Sequence, residues 1–170
     1  RPYTVINYTN DTTPPTIDEI TKSPAGWTNQ NVKFTVTASD SQSGVKDYAF
    51  STTDGNYSYG SSKTSGYYST NRTIHFAVRD YAGNVRKTTR GTYIDKLKPN
   101  TPSATINPSG WSQSNVYITV QANDANETDT NGKSGVKYYS CTKTAGSYDW
   151  KEVATLNGSY TFTNKDNGTY

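Results

Sequence analysis

Residues 24–32 read Pro-Ala-Gly-Trp-Thr-Asn-Gln-Asn-Val, and residues 108–116 repeat this stretch as Pro-Ser-Gly-Trp-Ser-Gln-Ser-Asn-Val. The two copies are offset by 84 residues (111 − 27), which is the size of one small β-sandwich domain. A second match follows, in which Ser-Gly-Val-Lys at residues 43–46 recurs at residues 134–137 with an offset of 91 (134 − 43). The second copy therefore carries a seven-residue insertion (91 − 84), and its polar composition predicts a lengthened loop.

Within each copy, apolar residues alternate with polar ones, which is the pattern of a strand with one buried face. These residues are Val32, Phe34, Val36 and Ala38 in the first copy, and Val116, Ile118, Val120 and Ala122 in the second. Further strands are predicted over residues 45–50 and 74–78, with a last strand from Val85 to Asp95. A turn at residues 80–84 precedes that last strand, and its glycine supplies a positive φ. The sequence thus predicts an all-β fold.

The composition agrees with a β-rich protein and excludes several functions. Only 31% of the residues are hydrophobic, but 15 Tyr, 4 Phe and 3 Trp provide large apolar faces. The net charge is +3 and the basic residues are scattered, so no nucleic-acid surface is predicted. No stretch has the length and apolarity of a membrane span, and a single cysteine excludes an internal disulfide.

The phase of the repeat predicts the domain boundaries. Residues 1–13 match the final strand and linker of the first copy, so they are predicted to be the tail of a preceding repeat. Residues 14–97 form one complete domain, and residues 98–170 form a second domain that lacks its last strands. The Pro-containing segments at residues 11–15 and 98–102 are predicted to be stiff linkers. A window on a longer array explains these ends, and the alternative is a strand from another molecule that completes the second domain.

Four motifs resemble the bacterial immunoglobulin-like repeats of Gram-positive-type cell-surface and secreted proteins. They are Asp-x-x-x-Pro between domains, Gly-Trp-Thr/Ser before the second strand, Asp-x-x-Ser-Gly-Val-x-x-Tyr at residues 40–48, and Asp-x-Ala-Gly-Asn-Val at residues 80–85. The second copy departs from the pattern by its insertion, by Cys141 in place of Phe50, and by lacking the last motif.

The resemblance implies tandem immunoglobulin-like β-sandwich domains in an extracellular protein, either attached to the cell surface or secreted. It implies a non-catalytic stalk, spacer or adhesive segment whose partners are the flanking repeats and, where it adheres, a host glycan or protein. Two alternatives remain open. One is a carbohydrate-binding accessory module of a secreted glycoside hydrolase, and the other is a decoration on a phage virion.

An enzyme site is not predicted. His75 is the sole histidine and alternates with Ile74 and Phe76, so it is expected on the outer face of a strand, away from any cleft. Cys141 takes the place of an inward-facing Phe and is expected to be a small buried apolar residue.

Calcium is the one cofactor that the sequence raises, the alternative being none. The candidate ligands lie in loops rich in Asn and Ser oxygens, and they are Asp40, Asp80, Asp124 and Asp129. Asp129 belongs to the insertion, which favours the second copy as the metal-binding one. The alternative is that each aspartate accepts backbone N–H groups and fixes its own turn.

Aromatic residues outside the quoted repeat are the candidates for ligand contact, and they are Tyr57, Tyr59, Tyr67, Tyr68 and Trp150. They lie among Gly and Ser, a composition that suits binding of a carbohydrate or a protein. The alternative is cross-strand pairing on a sheet face. Trp27 and Trp111 are expected instead to close one end of each sandwich.

Overall fold

The computed structural model describes residues 10–124, 134–143, 146–155 and 157–165, which form ten strands and no helix. The chain divides at Lys96 and Leu97 into two compact units. The first unit contains β1 (Thr16–Ser23), β2 (Lys33–Ser39), β3 (Val45–Ser51), β4 (Thr73–Asp80) and β5 (Val85–Gly91). The second contains β6 (Ser103–Asn107), β7 (Val116–Gln121), β8 (Tyr138–Tyr139), β9 (Lys151–Glu152) and β10 (Tyr160–Lys165). The predicted all-β class is confirmed.

In the first unit, two antiparallel sheets enclose one core. One sheet pairs β1 with β2, and the other has the order β3-β4-β5. The alternation predicted for β2 and β4 holds, because the buried side chains from both sheets meet in one cluster. Its fully buried members are Val32, Phe34, Val36, Ile74, Phe76 and Val78. Burial of this apolar area is the main force that holds the two sheets together.

An extended segment at residues 63–68 pairs with β2 and with Val32 just before it through backbone hydrogen bonds. The N–H of Val36 donates to the carbonyl of Lys63 at 2.9 Å, and Val32 and Tyr68 exchange hydrogen bonds of 3.0 and 2.8 Å. In the second unit, β10 occupies the corresponding side of β7, with Tyr160 opposite Val120. The order of that sheet is β10-β7-β6, and β8 pairs with β9.

The second unit has its own core, which is smaller. Its buried residues are Ile118, Val120, Ala122, Val136, Tyr139, Val153 and Phe162, with Val116, Cys141 and Tyr160 packed against them. The Tyr139 hydroxyl donates to the carbonyl of Ala122 at 3.2 Å and accepts from its N–H at 2.8 Å. A buried phenol thereby satisfies its polar end inside an apolar cluster.

One strand prediction is wrong in its extent. A single strand was predicted from Val85 to Asp95, but β5 ends at Gly91 and Tyr93 has a φ of 52°. The chain leaves the β3-β4-β5 sheet before this left-handed residue, whose φ interrupts an extended path. Ile94 then forms a parallel bridge with Thr28, whose N–H donates to the carbonyl of Tyr93 at 3.1 Å.

Candidate functional site

Three aspartates from separate segments of the first unit converge at one end of the sandwich. Asp11 precedes β1, Asp40 follows β2, and Asp80 is the last residue of β4. One carboxylate oxygen from each lies within 4.8 Å of the others. Asp80 is wholly buried and Asp11 nearly so, while Asp40 is half-buried. We call these three residues the aspartate cluster.

Two members of the cluster fix the turns that follow them. The Oδ1 atom of Asp40 accepts the backbone N–H groups of residues 42–44 at 2.8 to 3.1 Å. The Oδ1 atom of Asp80 accepts those of Gly83 and Asn84 at 2.6 and 2.8 Å. Both turns contain a glycine at positive φ, 81° at Gly44 and 101° at Gly83. Asp40 and Asp80 therefore accept backbone N–H groups and fix their own turns. Their carboxylates keep further lone pairs that these hydrogen bonds do not use.

Asp11 belongs to the same cluster, although the sequence places it in the tail of a preceding repeat. Its carboxylate accepts the N–H of Thr13 at 2.8 Å and the N–H of Ser43 at 3.1 Å. The Asn84 amide donates to the carbonyl oxygen of Asp11 at 3.0 Å and to Oδ2 of Asp80 at 2.9 Å. The recurring Asp-x-x-x-Pro motif was the available signal, but it indicated a linker and not a shared site.

Ser43 lies beside the cluster with an unpartnered hydroxyl. Its side chain is 6% exposed and its Oγ atom forms no hydrogen bond. The hydroxyl is nevertheless close enough to Asp11 to lower the pKa of that carboxyl below its usual value, and the Thr13 N–H lowers it further. The hydroxyl therefore faces the carboxylates without the geometry of a hydrogen bond to any of them.

In the second unit, Asp124 takes the position that Asp40 has in the first. Its Oδ2 atom accepts the Ser134 hydroxyl at 2.9 Å and the Gly135 N–H at 3.2 Å, while its Oδ1 atom is buried without a partner. Asp129, predicted as its co-ligand, lies outside the described residues. The structure thus brings Asp40 and Asp80 together, and it places Asp124 in no group of three potential metal ligands among the described residues.

Tyr57 and Tyr59 lie over the outer face of the β3-β4-β5 sheet. Their ring centroids are 6.3 Å apart, the Arg79 guanidinium lies 4.3 Å from the centroid of Tyr59, and the Lys87 ammonium lies 5.0 Å from that of Tyr57. The Tyr57 hydroxyl donates to Asp54 at 2.8 Å. Burial and this hydrogen bond raise the pKa of Tyr57 to about 12.

The segment that carries these two rings covers the sheet beneath it. Strand alternation places Ala49 and Ala77 on the outer face, next to the ion pair of Arg79 with Asp47 at 2.7 Å, yet each alanine is only 1% exposed. Because cations stack on both rings and small residues lie below them, Tyr57 and Tyr59 pack on the sheet, with their rings half-buried.

Tyr148 and Trp150 form a matching pair in the second unit. The backbone pairing of Lys151 with Tyr139 in the second unit repeats that of Gly60 with Tyr48 in the first, at the same offset of 91 residues (151 − 60). The glycines before each pair, Gly55 and Gly146, have φ angles of 84° and 86°. The two aromatic pairs are thus equivalent at the offset of 91 (148 − 57), although the sequence analysis treats them as non-repeated.

The second pair is more open than the first. The rings of Tyr148 and Trp150 lie 5.5 Å apart at 35°, and the residues are 56% and 60% exposed. Among the described residues, no cation stacks on either ring. Within residues 146–151, Asp149 forms an ion pair with Lys151 at 2.7 Å. The outcome is an exposed platform of two tilted aromatic rings, which we call the aromatic platform.

The other predicted ligand-contact residues lie elsewhere. Tyr68 packs against Phe34 in the first core, with ring centroids 6.1 Å apart. Tyr67 is exposed, and the Lys33 ammonium lies 5.7 Å from its ring. Both belong to the segment beside β2, so the structure does not gather the five predicted aromatics into one site.

The two repeated tryptophans differ in their surroundings. Trp27 packs edge-on against Tyr93 at 5.4 Å, as a side chain that closes the end of the sandwich does. Trp111 is 97% exposed, so the same prediction is wrong for the second unit as the structure describes it. The reason is that Tyr93 follows β5, and no described residue of the second unit takes its place.

The residues considered for catalysis do not form a catalytic arrangement. His75 lies on the outer face of β4, opposite Ser51 and Thr89, and its side chain donates no hydrogen bond to a carboxylate within the described ranges. Cys141 is half-buried and packs against the second core. The described residues also contain no helix with the length and apolarity that a membrane span requires.

Comparison with known proteins adds little. No protein-family model matches the chain, and no curated protein matches it. A solved structure from work on "carbohydrate-binding modules from the beta-sandwich super family" aligns with 90% of this chain and 84% of its own, at 15% sequence identity and a TM-score of 0.43. A likeness this distant does not bear on the ligand or the role of the present chain.

Proposed function

We propose that the chain is a non-catalytic structural and adhesive segment of a larger extracellular surface protein, built from tandem immunoglobulin-like domains. The observation that carries the proposal is the correspondence between the two units. Each has an extended neighbour on the same side of its central strand, β2 or β7, and an aromatic pair beside β3 or β8. Each unit also has a separate core. Self-contained units joined by a Pro-containing linker suit a spacer.

The proposal places the chain outside the cell, next to further repeats of the same protein. The resemblance to Gram-positive-type surface repeats supports the same localisation.

A stalk segment must bear load, and force spectroscopy tests this directly. Pulling the 170-residue chain by its ends should give one unfolding peak for each unit. Residues 10–96 should release roughly 300 Å of contour length, at about 3.5 Å per residue. A featureless extension curve would contradict a load-bearing role, whereas two peaks that recover after relaxation would support it.

Carbohydrate binding is the second candidate function, and the aromatic platform favours it. Exposed rings of Tyr and Trp present flat apolar faces with polar edges, which suit the apolar face of a sugar. Binding to a glycan array should be lost when Tyr148 and Trp150 are both changed to Ala.

There are two matched controls. The first changes Tyr57 and Tyr59 to Ala, because in the parent chain cations already stack on these two rings. The second is Trp111→Ala, which removes an exposed tryptophan outside the platform. Unchanged glycan binding after loss of the platform, or equal loss in the controls, would remove this candidate.

A further inference from the structure

The aspartate cluster combines three carboxylates that accept N–H groups but, among the described residues, face no cationic side chain at ion-pair distance. Asp11, Asp40 and Asp80 come from three separate segments, and within the described ranges none of them forms an ion pair with Lys or Arg. Like charges at this separation repel each other strongly when they are withdrawn from water. An arrangement that holds three of them together calls for a compensating positive charge.

Ser43 provides a second and independent observation at the same place. Its hydroxyl is buried and lies near the Asp11 carboxylate, but its geometry there falls short of a hydrogen bond. Buried polar atoms are nearly always paired, so an orphaned hydroxyl that faces carboxylates indicates a missing partner. The Ser43 N–H already donates to Asp11 and to Asp40, which orients the residue toward both.

The lone pairs that remain point to an oxygen-coordinated ion. All three turn N–H groups donate to Oδ1 of Asp40, and among the described residues its Oδ2 atom accepts no hydrogen bond. Each carboxylate has about four lone-pair positions, so Asp11 and Asp80 retain acceptor capacity beside their own hydrogen bonds. No His or Cys lies in the cluster, which disfavours zinc and leaves the hard cations.

We propose that Asp11, Asp40 and Asp80 bind one Ca²⁺ ion, with the Ser43 hydroxyl as a neutral ligand. Oxygens on opposite sides of a bound Ca²⁺ are separated by about twice its ligand distance of roughly 2.4 Å, and the three carboxylate oxygens lie within 4.8 Å of one another. Mg²⁺ requires near-ideal octahedral geometry at shorter distances, which ligands already engaged in turns supply poorly.

The site has a structural consequence for the segment before β1. Among the described residues, Asp11 contacts the two turns by accepting hydrogen bonds from the Ser43 N–H and the Asn84 amide, so a shared ion would attach this segment more firmly to the loops after β2 and β4. Calcium would then fix the path along which the chain enters the first unit. This inference does not depend on the adhesive role proposed above.

The test uses the whole 170-residue chain, freed of metal with a chelator, and two neutral variants. Isothermal titration with CaCl₂ should give a Kd on the order of 10⁻⁴ to 10⁻³ M, the range of extracellular calcium modules. Ser43→Ala should weaken binding about threefold or more, because it removes one neutral oxygen ligand. Asp40→Asn should weaken binding at least about tenfold. Asp80 is not used, since it is wholly buried and fixes a turn.

Asp18→Asn is the matched control, because Asp18 is an exposed aspartate of the same unit outside the cluster. Its calcium affinity should stay within about twofold of the parent chain. The proposal is overturned if 10 mM CaCl₂ changes neither the heat signal nor the melting temperature. It is also overturned if binding survives both Ser43→Ala and Asp40→Asn unchanged, if Asp18→Asn weakens it equally, or if MgCl₂ binds as tightly.

Discussion

Phe76→Leu tests whether the two units are energetically separate. Phe76 is wholly buried in the first core and packs edge-to-face against Phe34 at 5.2 Å and against Phe50 at 5.8 Å. Each such pair contributes about 0.5–1.5 kcal/mol beyond its buried area. Leucine keeps most of the apolar area but loses both ring contacts. The variant should therefore lower the free energy of unfolding of the first unit by roughly 1–3 kcal/mol.

The expected change in melting temperature follows from the size of the unit. For a domain of this length, 1 kcal/mol corresponds to about 4–8 °C, so the first transition should fall by roughly 4–24 °C. Differential scanning calorimetry of the 170-residue chain measures this shift. The counterpart variant is Phe162→Leu in the second core, where the ring contacts Tyr160 at 4.8 Å.

Phe162→Leu should lower the second transition and leave the first in place. The reasoning is refuted if Phe76→Leu moves its transition by less than about 2 °C, or if either variant shifts both transitions together. The latter result would mean that the chain unfolds as a single cooperative unit and not as separate domains.

Two further predictions concern the first unit. The pKa of Tyr57 is raised to about 12, so the folded state favours the neutral phenol, and the resulting stability should be complete below pH 10 and be lost between pH 10 and 12. In urea unfolding across that range, the free energy of unfolding should decline less steeply for Tyr57→Phe than for the parent chain. An identical slope would contradict the assignment. Gly83→Ala should cost roughly 1–3 kcal/mol, because Gly83 has a φ of 101° that an alanine adopts only with strain. Gly60→Ala is its control, having open space and no positive φ, and equal losses would show that backbone strain is not the cause.

Much of the first unit follows from the sequence because local patterns decide it. The alternation at residues 32–38 and 74–78 set which faces of β2 and β4 are buried, and Gly83 in its turn needs a positive φ. By contrast, β1 carries little sequence signal, since it is an edge strand whose residues are half-buried or exposed throughout. A strand with so little burial carries little alternation to recognise.

The residues of the candidate site follow from the sequence less completely. The sequence predicts Asp40 and Asp80 as candidate ligands from their loops, but the convergence of Asp11 with them is visible only in the structure. Tyr57, Tyr59 and Trp150 are predicted from the sequence as ligand-contact residues, but Tyr148 is not. The offset of 91 residues that relates Gly55 to Gly146 also relates Tyr57 to Tyr148, and this is the signal that could have identified the second pair.

The sequence by itself determined the features that depend on spacing along the chain. The period-two alternation and the glycine-containing turns settle the all-β class and the positions of about half of the strands, because a strand's burial pattern is written in consecutive residues. Only the tertiary structure decided which loops meet. Asp11, Asp40 and Asp80 are up to 69 residues apart (80 − 11), and they converge because two sheets pack and bring their ends together, an arrangement that no local pattern encodes.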